Sequence, residues 1–209
     1  MRKILVLNSK GGCGKTTLAT NLATYFASRG EEVALADADT QKSSRDWLKR
    51  RSKDLPRIAG LNWSKAGSIG ELKDKDLDTL IIDGPGGLRG ELSKSLVAEA
   101  TDIVVPVLPS AFDWGATIKF LKAIADIKRI RKGKADIHVI ANRIAKRSSQ
   151  VNELERVMQE AGFPVLCRIN DRVTYGRDAA AGEGIFDHTD KVSAEIRVQW
   201  MPLLQALDA

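Results

Sequence analysis

Ile4-Leu5-Val6-Leu7-Asn8-Ser9-Lys10-Gly11-Gly12-Cys13-Gly14-Lys15-Thr16-Thr17 reads as a buried strand, a glycine-rich loop and the first turn of a helix. Glycines 11, 12 and 14 allow backbone N–H groups to turn inward around phosphate oxygens, where a side chain would collide. A helix that starts at Lys15 adds its amino-terminal partial charge and unpaired donors. In that setting Lys15 reaches the β- and γ-phosphates and the Thr16 hydroxyl ligates Mg²⁺. The expected nucleotide-contact set is therefore Lys10, Gly11, Gly12, Cys13, Gly14, Lys15, Thr16 and Thr17. The general pattern G-x-x-x-x-G-K-[ST] is incomplete, because position 9 is serine. An additional lysine, Lys10, opens the loop instead.

Working outward, strand-like apolar runs alternate with helical patterns along the chain. The spacing predicts a helix from Lys15 to about Arg29, closed by Gly30 as a C-terminal cap residue. Strands are expected at Glu32 to Asp37, Ile58 to Trp63, Leu77 to Asp83, Ile103 to Leu108, Ile137 to Ala141 and Val165 to Ile169. Helices are expected at Ser43 to Arg51, Glu91 to Ala98, Trp114 to Ile130, Ser149 to Ala161 and Ser193 to Leu207, with a kink at Pro202. Continuous apolar runs suit parallel strands buried on both faces. This order predicts a doubly wound α/β fold, with a mostly parallel sheet flanked by helices. Its ligand crevice lies at the carboxyl ends of the strands. No repeat, low-complexity tract or linker divides the chain, so residues 1–209 are read as one domain.

Two carboxylate groups fall at that crevice. Asp37 and Asp39, two residues apart at a strand end, point the same way and need a cation or a water between them and the phosphates. Leu80-Ile81-Ile82-Asp83-Gly84-Pro85-Gly86-Gly87 has the form of a Walker-B strand and flexible switch, with Asp83 holding Mg²⁺ through water.

With its early lysine, Lys10-Gly11-Gly12-Cys13-Gly14-Lys15-Thr16 resembles the ParA/MinD family of deviant Walker-A ATPases. The resemblance implies that Lys10 reaches across a homodimer to the other copy's ATP. It places Asp39 with the attacking water and in the metal set beside Thr16 and Asp83, leaving Asp37 as a metal-side or structural partner. Lys10, Lys15 and Asp39 are thus the implied catalytic residues. Thr40 stands where the family usually has proline. Val105 to Ser110 resembles a strand end and loop of the family's dimer face. Asn142-Arg143 resembles the base-binding position, and an asparagine can offer adenine both a donor and an acceptor. A guanine reader would show Asn-Lys-x-Asp there, whereas this chain continues Ile144-Ala145, so ATP is favoured. Asp171 to Tyr175 and Ala179 to Ile185 also resemble the family. No arginine finger is evident, so slow turnover stimulated by an adaptor of ParB type is implied.

The composition, 43% apolar with few aromatics, is that of a globular protein. No apolar run is long enough to span a membrane, and the run after Met1-Arg2-Lys3 is too short for a signal peptide, which points to the cytoplasm. Cys13 and Cys167 lack metal-type spacing. His138 and His188 are read as packing or surface residues.

The net charge of +6 matters where it gathers. Lys128, Arg129, Arg131, Lys132 and Lys134 form a basic cluster, joined by Lys119, Lys122, Lys146 and Arg147. Such patches bind phosphate backbones without sequence preference at roughly 10⁻⁴ to 10⁻⁶ M. With the resemblance, this implies a nucleoid-associated ATPase that positions a plasmid, a chromosome region or a protein organelle such as a carboxysome. The phosphate loop begins within ten residues of Met1, so no preceding helix-turn-helix and no autorepression are expected. The alternatives are a MinD-like membrane-surface ATPase and a deviant P-loop ligase or synthetase. The last segment, Ile196 to Ala209, has one basic residue and a proline, and reads as a helix packed on the domain rather than a membrane anchor.

Overall fold

The computed structural model describes residues 1–64, 76–86, 91–145 and 148–209. Its strands are β1 (Arg2–Asn8), β2 (Val33–Asp37), β3 (Ile58–Asn62), β4 (Thr79–Gly86), β5 (Asp102–Val107), β6 (Asp136–Ile144) and β7 (Val165–Asn170). They form one sheet in the order β3-β2-β4-β1-β5-β6-β7. Every neighbouring pair is parallel.

The apolar runs sort by parity, as the two-residue period of a strand demands. Leu5 and Leu7 of β1 face one layer with Leu80, Ile82, Ile103, Val105 and Val139. Ile4 and Val6 face the other with Val33, Leu35, Ile81, Val104 and Ile140. The first layer is covered by α3 (Glu91–Glu99), α4 (Ala111–Ala125) and α6 (Gln150–Glu160) through Leu96, Val97, Leu121, Ile124, Leu154 and Met158. The second is covered by α1 (Lys15–Ser28), α2 (Ser43–Arg50), α8 (Lys191–Val198) and α9 (Met201–Leu207). Their contributions include Leu18, Phe26, Trp47, Ile196, Trp200 and Leu204. Burial on both faces explains why β1, β2, β4 and β5 carry no apolar–polar alternation, whereas the edge strands β3 and β7 alternate in burial.

Strand order reverses at β1: the chain runs outward to β2 and β3, returns to β4, and continues to β5 on β1's other side. A crevice opens at such a switch point, outside the carboxyl ends of the strands. Gly84 fits close to β1 there, since a Cβ on it would lie 2.7 Å from the Val6 carbonyl oxygen.

Three helical expectations are corrected. The helix expected from Trp114 to Ile130 is two helices, α4 and α5 (Lys128–Arg131), because Ile127 between them is extended. The last helix is also two, α8 and α9. Its start is earlier, at Asp190, whose carboxylate accepts from the Val192 and Ser193 N–H groups as an N-cap. Pro202 sits in the first turn of α9, where its missing N–H is tolerated, so the expected kink is a new helix start. Finally, α7 (Val173–Ala181) occupies a stretch to which periodicity assigned no element. Lys146, Arg147 and Gly87 lie outside the described residues.

Candidate functional site

The glycine loop hangs from the central strand. Asn8 ends β1, and its Nδ2 donates to the Pro106 carbonyl of β5 at 2.6 Å, which fixes the loop's departure. Gly12 and Gly14 adopt φ of +72° and +93°, in the left-handed region where a Cβ is strained. Gly14 is the N-cap of α1, and no side chain caps that helix. Its first-turn N–H groups therefore face the crevice as anion donors. Lys15 is buried, and its ammonium folds back to the Lys10 carbonyl at 3.4 Å, which also accepts from the Cys13 thiol at 3.2 Å.

Asn142 and Arg143 brace the loop from the far side. The β6–β7 register slips between Ala141 and Ile144, a bulge that re-aims both side chains. Asn142 is buried and its Nδ2 donates to the Cys13 carbonyl at 2.8 Å. A Cβ on Gly14 would collide with that same amide, so glycine is required at this position. Asn142 thus meets the loop backbone with the donor that the sequence reading assigned to adenine. Arg143 has φ +55°, uncommon for a side-chain-bearing residue. Its guanidinium donates to the Gly12 carbonyl at 3.2 Å and lies 3.5 Å from Asp171.

The carboxylates divide their work. Asp37 and Asp83 are register partners on β2 and β4, both buried. Asp37 accepts from the backbone N–H of Asp39 at 3.1 Å and of Arg45 at 2.9 Å. Each of its oxygens thus takes one backbone N–H and braces the turn between β2 and α2. Asp39, half-buried, takes the Gln41 N–H and lines the crevice. Asp83 accepts the Thr16 hydroxyl at 2.8 Å through Oδ2, while its Oδ1 is buried with no hydrogen-bond partner among the described residues. Burial, reinforced by the nearby negative charge of Asp37, pushes the Asp83 carboxyl up to about 7, although the Thr16 hydrogen bond opposes the shift. An orphaned carboxylate oxygen beside a threonine hydroxyl, both hard donors, fits Mg²⁺. Thr16 and Asp83 would hold that ion.

A cavity of about 910 Å³ opens here, lined by Gly11, Gly12, Gly14 and Lys15 to Thr17 of the loop and α1 and by Asp39, Gln41, Gly86 and Arg143. Its remaining wall is Asp171 to Val173 and the first turns of α7, including Tyr175 and Gly176. The sequence reading gave that wall no role. Its signals are the family resemblance of Asp171 to Tyr175 and Ala179 to Ile185, and Gly182, which ends α7 at φ +74°. The basic cluster lies elsewhere: Arg129 Nε donates to the Ala100 carbonyl just before β5, and Lys128 to Lys134 precede β6. That is the amino-terminal edge of the sheet, opposite the glycine loop. Lys119, Lys122, Lys128, Arg131, Lys132 and Lys134 are exposed, and Arg129 is half-buried.

A glycine loop between the first strand and first helix of this sheet, with an aspartate of a neighbouring strand on its threonine, defines a P-loop nucleotide-binding fold. The chain belongs to the CobQ/CobB/MinD/ParA nucleotide-binding domain family, whose model matches residues 4–185. It is 28% identical over 187 residues to the maintenance of carboxysome distribution protein A of Halothiobacillus neapolitanus, covering 88% of this chain and 86% of that protein. The chromosome-partitioning ATPase Soj of Thermus thermophilus is 30% identical over 158 residues, 61% of this chain and 63% of Soj. In fold, apo McdA of Cyanothece superposes with a TM-score of 0.77 over the whole of both chains, at 17% identity. Cobyrinic acid a,c-diamide synthase of Mycobacterium smegmatis, solved with ADP and magnesium, superposes at 0.68 and 21% identity, over 86% of this chain and 92% of that one.

Proposed function

We propose that residues 1–209 form one ParA-type ATPase unit that closes as an ATP-bound homodimer, binds nucleoid DNA nonspecifically and positions a cargo, with a partner protein stimulating hydrolysis. The observation that carries this reading is the loop itself, with the Lys15 ammonium at the Lys10 backbone carbonyl and Thr16 joined to Asp83. The curated relatives that distribute carboxysomes or partition chromosomes support the cargo role. A protein organelle of carboxysome type is the cargo best supported, because that relative spans most of both chains.

Mechanistically, the α1 amino terminus and Lys15 bind the β- and γ-phosphates, and Thr16 and Asp83 would hold Mg²⁺, which when bound would supply neutralisation of phosphate charge. Asp39 orients a water and takes its proton as the oxygen attacks the γ-phosphorus. The β–γ bridging P–O bond breaks, releasing ADP and phosphate. Lys10 of each copy reaches the other's phosphates, so hydrolysis and dimerisation are coupled. Phe112, 95% exposed after the carboxyl end of β5, and Val173, 93% exposed at the crevice wall, suit a surface covered on closure. The three leucines of α9 (Leu203, Leu204 and Leu207) are buried in the core, with Met201 exposed, which disfavours a MinD-like use of this helix on membranes.

Sedimentation of the Asp39→Ala variant with ATP and Mg²⁺ tests the reading. A stable dimer that binds ATP with little turnover is the expected result, and it reverts to monomer when Lys10→Ala is added. A monomeric Asp39→Ala protein with normal turnover would overturn it.

A further inference from the structure

We propose that Asp178, Glu183 and His188 form a second cation site, for a borderline divalent transition metal such as Zn²⁺, apart from the nucleotide crevice. One ligand atom from each lies within 4.8 Å of the others. His188 Nε2 stands 3.4 Å from Asp178 Oδ2 and 3.3 Å from Glu183 Oε2. Neither approach is a hydrogen bond: Asp178 Oδ2 and His188 Nε2 are both buried without a hydrogen-bond partner among the described residues. Asp178 is 2% exposed, and its other oxygen is taken by the Arg177 guanidinium at 2.9 Å. The orphaned oxygen is therefore aimed into the cluster. Buried carboxylate and imidazole atoms that face each other without a hydrogen bond are destabilising, and a cation held between them would satisfy both.

The spacing suits a tetrahedral ion. Bonds of about 2.1 Å to nitrogen and oxygen imply ligand–ligand separations of about 3.4 Å. One imidazole with two carboxylates favours Zn²⁺ or Co²⁺ over Mg²⁺, which takes oxygen ligands. Two carboxylates also balance the dication's charge. Glu183 and His188 are only partly buried, which leaves a solvent-facing position for a water.

The scaffold is rigid before any ion arrives. The helix α7 ends in a Schellman turn, in which the Glu183 N–H donates to the Asp178 carbonyl at 2.9 Å and so sets these two residues side by side. Gly182 leaves no room for a Cβ against the backbone of Arg50 and Arg51. The Glu183 carbonyl accepts from Trp47 Nε1, and the His188 carbonyl accepts from Arg197. Ala179, next to Asp178, lines the nucleotide cavity, so an ion here would stiffen the α7 wall of that cavity.

The test uses the purified full chain without nucleotide, dialysed against ZnCl₂, with bound metal counted by elemental analysis. One equivalent per chain is expected in the wild type and in Asp83→Asn, falling at least tenfold in His188→Ala and Asp178→Asn. Co²⁺ substitution should give the intense visible absorption of a tetrahedral centre, absent in His188→Ala. Should Asp178→Asn fail to fold, the wild-type cobalt spectrum and the milder His188→Ala variant decide. Zinc-free wild type overturns the proposal. Equal zinc in wild type and His188→Ala overturns it too, by placing the metal elsewhere.

Discussion

The Thr16 hydroxyl donates to Asp83 Oδ2 at 2.8 Å, joining the first turn of α1 to β4 across the floor of the crevice. The second Asp83 oxygen is buried with no hydrogen-bond partner among the described residues, in a carboxyl whose pKa burial raises from 3.8 to about 7. Between about pH 4 and pH 7 the folded protein holds a proton that the unfolded chain has released. Stability of the nucleotide-free protein should therefore fall as pH rises through that window and level off above it. The Asp83→Asn variant removes this dependence and should be the more stable protein above about pH 7, by an amount on the order of a few kcal/mol. Urea unfolding of both proteins at about pH 5 and about pH 8 measures the difference. Binding of Mg²⁺ requires the ionised form, so the metal's enhancement of ATP affinity should grow as pH rises through about 7.

Lys15 is buried, with its ammonium at the Lys10 carbonyl, and on the proposed reading phosphate oxygens would replace that acceptor. Hydrogen bonds to charged groups are each worth about 1.5–3 kcal/mol. Two such bonds to phosphate oxygens predict that Lys15→Ala weakens ATP binding by at least about 100-fold. Titration calorimetry reads this directly, and an unchanged affinity would refute the assignment. Lys10→Ala should instead keep ATP binding near wild type and lose only the dimer.

The basic cluster is at the sheet edge opposite the crevice, so its charge is separable from nucleotide binding. Replacing Lys128, Arg131, Lys132 and Lys134 together by alanine should weaken binding to nonspecific duplex DNA. It should also flatten the salt dependence by about one unit of slope per lost phosphate contact, with ATP affinity unaltered. An unchanged gel shift and unchanged slope would place any DNA contact on another surface.

The sequence reached the glycine loop and the central strands because their cause is local. Only glycine suits positions 12 and 14, and only a doubly buried strand carries a run such as Ile4 to Leu7. Asp37 and Asp39 share a strand end, yet their separation into a turn brace and a crevice residue depends on Arg45, eight residues on. The Asn142–Arg143 bulge arises from pairing with β7, which no residue of β6 announces. His188 carries no local signal either: its partners Asp178 and Glu183 are gathered by a helix end and a turn, not by periodicity.

Arg51 and Asp187 form a two-pronged ion pair, with Nη1 and Nη2 each 2.8 Å from a carboxylate oxygen and side chains only 5% and 1% exposed. The same guanidinium donates to the Gly182 and Pro56 carbonyls and lies over the Trp47 ring. It ties α2 to the turn after α7, and with it the α7 wall of the nucleotide cavity. Removing one partner strands a buried charge, which typically costs about 3–5 kcal/mol. Asp187→Asn and Arg51→Met should each lower the urea midpoint strongly, and Arg51→Met/Asp187→Leu should recover part of the loss because no unpaired charge remains. Arg156, whose ion pairs with Glu153 and Glu160 are comparably short but whose side chain is 56% exposed, serves as the contrast. Solvent screens such pairs, so Arg156→Ala should leave the midpoint where it is. If both arginines gave the same shift, burial would not be what distinguishes them, and the clamp on α7 would have to be assigned to packing around Trp47 instead.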